Sequence, residues 1–595
     1  MTENCHLSPQ TKTSSRCSSL DETSAPCRVP TMNTFQLQDG ARLTRGRWLL
    51  ALLILATVPG KALAQQSATT GVSSQLHGIA SAGHLPELRW PDFSDYRAHV
   101  QNFYESSNYM PAWTRSGQPT PQTLAITELL KHAGTQGLDP EDYDGSRWAD
   151  RLARLQKSPD PSQAAIFDAA LTVCLMRYIS DRHIGRINPE HFKFGLNIEA
   201  KKYDLPAFLR DRLVNGDVKT ELAQIGPPFA AYKRTLAALQ RYVQLAREDD
   251  GEKLPVSSKA VTPGTSYEGT RRLARLLCLL GDLPANASVP NHSNLYQGAL
   301  VEAVKRFQSR HALRPDGRLD EPTLRNLNTP LSQRVDQLRL TLERWHWLPD
   351  QFKEPPIVVN IPEFRLYAFD SSENIALTMN VIVGKAFHHK TPVFEKDLRY
   401  VVFRPYWNVP PSIQRSEIVR DIEKDRGYIA KKGFEVVTPG GQVVTSGAVS
   451  DEMLSELRSA KLEVRQKPGA TNALGLVKLV FPNEYNVYLH STPSPQLFSQ
   501  TRRDFSHGCI RVERPAELAA WVLRDKPEWS VERAQAAMTS GRDNLQVNLT
   551  SPIPVLILYG TAVVAPDGQV RFFDDIYGYD DELKKALAKG YPYPW

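Results

Sequence analysis

Cysteine is scarce in this chain, with six in 595 residues, and none of their spacings is typical of a disulfide framework or a zinc site. Cys174 and Cys278 lie in apolar, helix-like segments, so we expect both thiols to be buried. Positive charge is not concentrated either. The formal net charge is +7 and no basic stripe interleaved with aromatic residues occurs, so nucleic acid is not an expected partner.

Long apolar segments are also missing from the leader of the chain. Its apolar run, Trp48–Pro59, is too short to cross a bilayer comfortably. Three arginines precede this run and Ala-Leu-Ala follows it at 62–64, the pattern of a secretory signal peptide with cleavage after Ala64. An uncleaved signal is the alternative, and it would be the protein's one attachment to a membrane. Met32 would give an n-region of ordinary length, so translation could start there.

The length of the chain is too great for one hydrophobic core and predicts several domains. Residues 65–85 are rich in Ser, Gly and Ala, which predicts a flexible linker after the leader and signal peptide. The pattern is helical over 86–265, changes to short helices over 266–333, and becomes strand-like in 334–595. Helical segments interrupt these strands at 411–466. The chain is therefore predicted to be a multidomain α+β protein.

One short segment carries a reactive chemistry. Cys509 directly follows Ser506-His507-Gly508, and fifteen residues separate His490 from Ser506. A cysteine nucleophile needs a base or a positive field to form its thiolate, and N–H donors for the oxyanion of an acyl substrate. Both histidines are candidate bases, because His507 is two residues from Cys509 and can share its face of a strand. The amides of Gly508 and Cys509 are candidate oxyanion donors.

This pattern resembles the signature of the L,D-transpeptidase (YkuD) family, H-x(14–17)-[S/T]-H-G-C. The resemblance covers roughly residues 86–595. It implies a helical N-terminal scaffold domain, a three-helix peptidoglycan-binding-like module, and a β-rich YkuD-type catalytic domain with 411–466 as an inserted capping subdomain. Large members with this organisation are periplasmic, which the signal peptide also indicates.

The resemblance also implies roles for single residues. Cys509 would be the nucleophile and His490 the base, with its ring oriented by the carbonyl of Ser491, whereas His507 would be a supporting group. Gly508 would supply an oxyanion amide. Four further residues are expected to bind substrate: Arg511, Ser506, Tyr488 and Trp407. The planar guanidinium of Arg511 suits a substrate carboxylate.

The implied reaction is acyl transfer on the tetrapeptide stems of peptidoglycan. Cys509 would attack the carbonyl of meso-diaminopimelate, release D-alanine, and pass the acyl group to an amine of another stem, which gives a 3→3 cross-link. No cofactor is required, since a thiolate and an oxyanion hole suffice. Carbapenems are expected to acylate Cys509.

Several alternatives remain open on the sequence. Water as acceptor would make the protein an L,D-carboxypeptidase, and a lipoprotein acceptor would make it a transferase that attaches lipoprotein to the wall. The catalytic domain could be inactive in a wall-binding protein. A zinc hydrolase could use His490, His507 and Cys509 as metal ligands.

Overall fold

The computed structural model describes most of the chain, namely residues 59–157, 160–287, 294–371, 374–387 and 389–593. Of the predicted leader and signal peptide, which extend to Ala64, residues 1–58 lie outside this part. The signal peptide, its cleavage after Ala64 and a start at Met32 therefore remain predictions, as do the domain boundaries. No helix in the described ranges is long and apolar enough to cross a bilayer.

The N-terminal region is helical, as predicted. Its α-helices are α1 (Pro59–Ala82), α2 (Arg97–Glu105), α3 (Pro121–Lys131), α4 (Trp148–Lys157), α5 (Pro161–Ile184), α6 (Leu205–Phe208), α7 (Val218–Ala223) and α8 (Ala230–Glu248), with a short hairpin of β1 (Thr114–Arg115) and β2 (Gln118–Pro119) after α2. The start of α3 shows the local cause. Thr120 Oγ1 accepts the N–H of Thr123 at 3.2 Å, and Pro121 occupies a position where no N–H is needed. α5 is buried along most of its length and contains Cys174, whose thiol is buried as predicted.

The segment 65–85 is not a flexible linker, because α1 extends to Ala82. Val72, Leu76 and Ala80 recur at intervals of four residues, so they share one face of α1, and all three are buried in the largest core cluster. The small residues between them resemble a linker in composition. The four-residue spacing of the apolar positions determines the structure instead.

Three short helices follow, α9 (Thr270–Leu280), α10 (Ala299–Arg310) and α11 (Glu321–Leu327), and they enclose a hydrophobic core of their own. The prediction that Cys278 is buried is wrong, because its side chain is exposed. α9 buries Leu273, Leu276 and Leu277, which lie three and four residues apart, and Cys278 falls beyond that face. The next helix, α12 (Leu331–Trp345), packs on α8.

The β-rich part of the chain is interrupted by the insert. Before it come β3 (Ile357–Asn360), β4 (Arg365–Phe369), β5 (Ile375–Gly384) and β6 (Phe394–Phe403). The insert holds β7 (Trp407–Asn408), α13 (Pro411–Ile413), α14 (Val419–Lys424), α15 (Tyr428–Lys431), β8 (Phe434–Val437), β9 (Val443–Thr445), α16 (Asp451–Arg458) and β10 (Glu463–Gln466), with a π-helical turn at Gln414–Ile418. After it come β11 (Val477–Val480), β12 (Leu489–His490), β13 (Asp504–Ser506), β14 (Ile510–Val512), α17 (Pro515–Val522), α18 (Val531–Thr539), β15 (Leu545–Leu558), β16 (Ala562–Val564), β17 (Val570–Phe572) and α19 (Tyr579–Leu587).

The strands outside the insert form a nine-stranded sheet in the order β13-β5-β14-β12-β11-β6-β15-β3-β4. β5 also pairs with β4, so eight of these strands close into a barrel. Most neighbours are antiparallel, but β12 and β14 run parallel. The multidomain α+β class, with a helical region, a three-helix module and a β-rich catalytic part, is confirmed.

The insert has its own sheet and its own hydrophobic core. Its strands pair in the order β7-β10-β8-β9, and its helices pack on this sheet around a separate hydrophobic cluster. The pairing of β10 with β7 brings Trp407 into the insert's sheet, opposite Gln466. The sheet therefore reaches slightly beyond the predicted limits of 411–466.

The helical region and the barrel share a continuous interior from Lys61 onward. Glu343 on α12 is buried, and its carboxylate accepts the backbone N–H groups of Arg186 and Ile187 at 2.5 and 3.1 Å and the Arg186 guanidinium at 3.1 Å. Near the end of the chain, the hydroxyl of Tyr591 donates to Asp181 on α5. These contacts connect the segment after α5 to α12 and the end of the chain to α5.

We predict that Glu343→Ala strongly destabilises the protein, by about 3–5 kcal/mol, because it removes the nearer of the two carboxylates that pair with the buried Arg186 guanidinium and leaves two backbone N–H groups without their acceptor. The measurement is the unfolding transition in denaturant, followed by intrinsic fluorescence. Glu128→Ala is the matched control, since Glu128 pairs with Lys131 on an exposed helix surface and its loss should leave the transition unchanged. Equal transitions for the two variants would show that Arg186 finds another partner.

Candidate active site

Three neighbouring strands carry a row of polar side chains on one face of the barrel sheet. β11 pairs Lys478 with His490, and β12 pairs His490 with Arg511. Directly paired residues project from the same face, so the three side chains form a row with His490 in the middle. The residues beside them, Leu489 and Ile510, project to the opposite face and are fully buried in the core. The barrel's apolar interior thus fixes which side chains face outward.

Cys509 and Tyr488 form the next row along the same face. Each lies two residues before a member of the first row, and the N–H of Ile510 donates to the carbonyl of Tyr488 at 3.1 Å, which holds the two segments side by side. The Tyr488 and His490 rings are 5.7 Å apart, and Lys478 Nζ lies 3.9 Å from the centroid of the Tyr488 ring. The Cys509 thiol is partly exposed and lies 3.6 Å from the Asn486 carbonyl oxygen.

The turn before Cys509 is held by Ser506, which is buried. Its hydroxyl donates to the carbonyl of Cys509 at 2.6 Å and accepts the N–H of Gly508 at 3.1 Å. Gly508 has a φ of 116°, which favours glycine, and its carbonyl accepts the Thr391 hydroxyl at 2.7 Å. Ser506 is thus bonded within the turn and the Gly508 amide donates to its hydroxyl, which leaves the amide of Cys509 as a further candidate oxyanion donor. The predicted roles of Ser506 in substrate binding and of Gly508 in the oxyanion hole stay predictions.

His507 does not lie beside Cys509 on a continuous strand, because β13 ends at Ser506 and the glycine turn intervenes. Its Nε2 is 2.7 Å from a carboxylate oxygen of Glu417, which belongs to the insert. Its ring also packs edge-on against His389, with centroids 4.6 Å apart. Of the two histidines, His490 therefore lies on the face of Cys509, and His507 connects the turn to the insert.

The electrostatics of this face keep the histidine neutral. Burial, assisted by the positive charge of Arg511, lowers the pKa of His490 to about 3. Burial also raises the pKa of the Cys509 thiol, while Tyr488, Lys478 and Arg511 act in the opposite direction. Near neutral pH the resting pair is therefore a neutral imidazole beside a thiol, not an imidazolium beside a thiolate.

Backbone groups close to His490 influence the protonation of its ring. The backbone groups of Ser491 and Leu474 favour the protonated form of the His490 ring and oppose the lowering of its pKa, although His490 Nδ1 makes no hydrogen bond of normal geometry. Gly475 allows this close approach, because its φ is 63° and a Cβ there would lie 2.6 Å from Ser491 Oγ. The ring-orienting role of Ser491 remains a prediction.

Trp407 and Arg511 lie close to this face, and their role in substrate binding stays a prediction. A hydrogen bond with the Trp407 side chain opposes the large rise that burial causes in the pKa of the Tyr488 hydroxyl. Arg511 has a buried Nε atom without a hydrogen-bond partner. Trp407 comes from the insert's sheet, so the insert forms one wall of the site.

Sequence reasoning missed Lys478 and Glu417. Lys478 is a lone charged residue inside the apolar strand Val-Lys-Leu-Val of β11, and that signal alone could have placed it on the polar face. Glu417 has no such signal, because its contact with His507 depends on how the insert packs. Among the described residues, no group of three or more His, Cys, Asp or Glu is arranged to hold a metal ion.

The comparisons with known proteins match this organisation. Residues 98–239 match the model of a scaffold domain, 269–327 that of a "Putative peptidoglycan binding domain", and 355–555 that of the L,D-transpeptidase catalytic domain, YkuD. The β-rich part is thus an L,D-transpeptidase catalytic domain. The chain thus combines regions similar to a scaffold domain, a peptidoglycan-binding domain and a YkuD L,D-transpeptidase catalytic domain.

One curated relative is a "Putative L,D-transpeptidase" of Haemophilus influenzae, 30% identical over 252 residues, which are 42% of this chain and 50% of that protein. The chain thus spans about half the length of the curated relative it matches. Among solved structures, L,D-transpeptidases of Xylanimonas cellulosilytica and Stackebrandtia nassauensis match with 13% and 12% identity and TM-scores of 0.16 and 0.20. Each match covers 51% of this chain, and 100% and 96% of the respective structures.

We predict that Lys478→Met raises the pKa of Cys509, because it removes a cation that stabilises the thiolate. Alkylation of Cys509 by iodoacetamide should then be slower at a fixed pH, and its pH profile should move to higher pH. Peptide mapping by mass spectrometry separates Cys509 from the exposed Cys278. Lys396→Met, at a lysine paired with Glu484 on the surface, should leave the profile in place. Identical profiles for all three proteins would contradict the prediction.

Proposed function

We propose that the protein is a cysteine L,D-transpeptidase that forms 3→3 cross-links between peptidoglycan tetrapeptide stems. The observation that carries this proposal is the shared face of β12 and β14, where a partly exposed thiol lies beside a buried neutral imidazole, a tyrosine and two cations. The matches to the YkuD catalytic-domain model and to the peptidoglycan-binding model support peptidoglycan as the substrate. We also propose that the protein works in the periplasm after export through its N-terminal signal peptide.

In the first half of the reaction, His490 takes the proton of the Cys509 thiol as sulfur attacks the carbonyl carbon of meso-diaminopimelate. The amide of Cys509 and the hydroxyl of Tyr488 are the candidate donors to the oxyanion. Burial raises the pKa of that hydroxyl well above its usual value, so it stays protonated and able to donate. The C–N bond then breaks, and His490 returns the proton to the amine of the departing D-alanine. The product is a thioester on Cys509.

In the second half, the side-chain amine of another stem attacks the thioester. His490 takes a proton from the attacking nitrogen, the C–S bond breaks, and Cys509 regains its thiol proton. His490 is neutral at rest, so a ring nitrogen is available to accept the proton in both halves. The L,D-carboxypeptidase and lipoprotein-attaching reactions differ from this one only in the acceptor.

We predict that Cys509→Ala abolishes product formation, because its thiol is the nucleophile. The assay is incubation with purified disaccharide-tetrapeptide, followed by mass analysis of the products. The wild type should give cross-linked dimers that have lost one D-alanine, and a carbapenem should add covalently to Cys509 alone. Cys278→Ala is the control and should behave as the wild type.

Other results of this assay point to the other functions. Tripeptide without dimers would indicate a carboxypeptidase, and neither product nor carbapenem adduct in the wild type would indicate an inactive wall-binding protein. Activity that persists in Cys509→Ala would rule out the cysteine mechanism.

We predict that His490→Ala lowers the cross-linking rate by roughly 10²–10⁴-fold, as loss of a positioned general base does, whereas His507→Ala has a smaller effect. The reason is that His490 lies on the face of Cys509 while His507 is bonded to the insert. Glu417→Gln should have an effect similar to that of His507→Ala. A larger loss in His507→Ala than in His490→Ala would reverse the two roles.

A further inference from the structure

Two cations on the site face, Lys478 and Arg511, form no ion pair with a carboxylate in the described part of the chain. Apart from burial, the titratable group there with a resolved influence on the pKa of each is Cys509. The Nε atom of Arg511 is buried and makes no hydrogen bond. Some buried arginines of the protein are paired with carboxylates, as Arg186 is with Glu343 and Arg310 with Asp282, and others, such as Arg177, donate to backbone carbonyls. An unpaired pair of cations next to a nucleophile indicates an anionic ligand.

The strand register brings the two cations to one place. Lys478 and Arg511 flank His490 on the strands at either side of β12, so their backbones are about 10 Å apart, twice the distance between neighbouring strands. Both side chains are long enough to converge in front of the imidazole. Lys478 Nζ already extends toward the row of Cys509, since it lies over the Tyr488 ring.

We propose that Lys478 and Arg511 form a carboxylate subsite that holds the free C-terminal carboxylate of the donor stem. This inference rests on the proposed function and adds to it the feature by which the donor is recognised. In a tetrapeptide stem, the carboxylate carbon is three bonds from the carbonyl carbon that Cys509 attacks. A carboxylate held by the two cations therefore places the scissile carbonyl next to the thiol.

The subsite also determines which stems are donors. One additional residue moves the terminal carboxylate about 3.5 Å farther from the scissile bond, beyond the position at which both cations can hold it. An amidated terminus removes the charge but keeps the length. The subsite therefore favours an unmodified stem with one residue beyond the scissile bond. When that residue leaves with its carboxylate, the two cations become free for the next donor.

The test measures binding without turnover, in the Cys509→Ala protein. Calorimetry compares the disaccharide-tetrapeptide with the same compound carrying a C-terminal carboxamide, and with the pentapeptide form. The carboxylate compound should bind about tenfold to a hundredfold more tightly than the carboxamide, as expected for hydrogen bonds to charged groups. The pentapeptide should bind about as weakly as the carboxamide.

Variants in the same background assign the effect to the two cations. Lys478→Met should reduce affinity for the tetrapeptide but not for its carboxamide, and Lys478→Arg should restore most of the difference. Arg511→Gln should act like Lys478→Met. Lys396→Met is the control that keeps the preference, and thermal unfolding of each variant verifies the fold.

Equal affinities for carboxylate and carboxamide would overturn the subsite and leave the proposed function intact. A preference that survives in both Lys478→Met and Arg511→Gln would also overturn it. Failure of the proposed function has a different result, since it appears as absence of thioester and cross-links in the wild-type protein whatever the binding preference of the alanine variant.

Discussion

The parallel pairing of β12 with β14 is the constraint on which the site depends. It sets Leu489 against Ile510 and His490 against Arg511. A shift of one residue would move every side chain of a strand to the other face, so the imidazole would enter the apolar interior and a leucine would replace it on the site face. The complete burial of Leu489 and Ile510 therefore fixes the position of the catalytic face as well as closing the barrel.

The short turn before β14 determines which of two nearby histidines accompanies the thiol. Ser506 bonds to both Gly508 and Cys509, and the positive φ of Gly508 interrupts the strand-like alternation that would have kept His507 on the same face as Cys509. Cys509, the proposed nucleophile, thus lies directly before β14, where the bond from Ile510 N–H to the Tyr488 carbonyl fixes the start of the strand. A rigid nucleophile next to a base on a neighbouring strand is better positioned than one on a loop.

The sequence predicted the domain types, because helical and strand periodicities are local signals. The spaced motif led to the hypothesis of a Cys509–His490 pair, and its catalytic roles stay predictions. Prediction from the sequence failed where packing decides. The 65–85 segment has the composition of a linker, yet three apolar residues spaced by four make it a buried helix. The exposure of Cys278 depends on which face of α9 meets its neighbours. The hydrogen bonds of Ser506 to Cys509 and Gly508 could not be predicted either, since they require the exact path of the turn. Glu417 reaches the site only through the fold of the insert.

The insert contributes side chains at both ends of the site, and the one carboxylate named among them lies away from Cys509. Trp407 of its sheet lies beside Tyr488, and Glu417 binds the outer histidine, His507. A carboxylate beside Cys509 would disfavour the thiolate further and would neutralise Lys478 and Arg511. Because Glu417 is paired with His507 instead, the insert forms a wall of the site without neutralising the two cations. The face around His490 therefore keeps two positively charged side chains, which favours an anionic ligand.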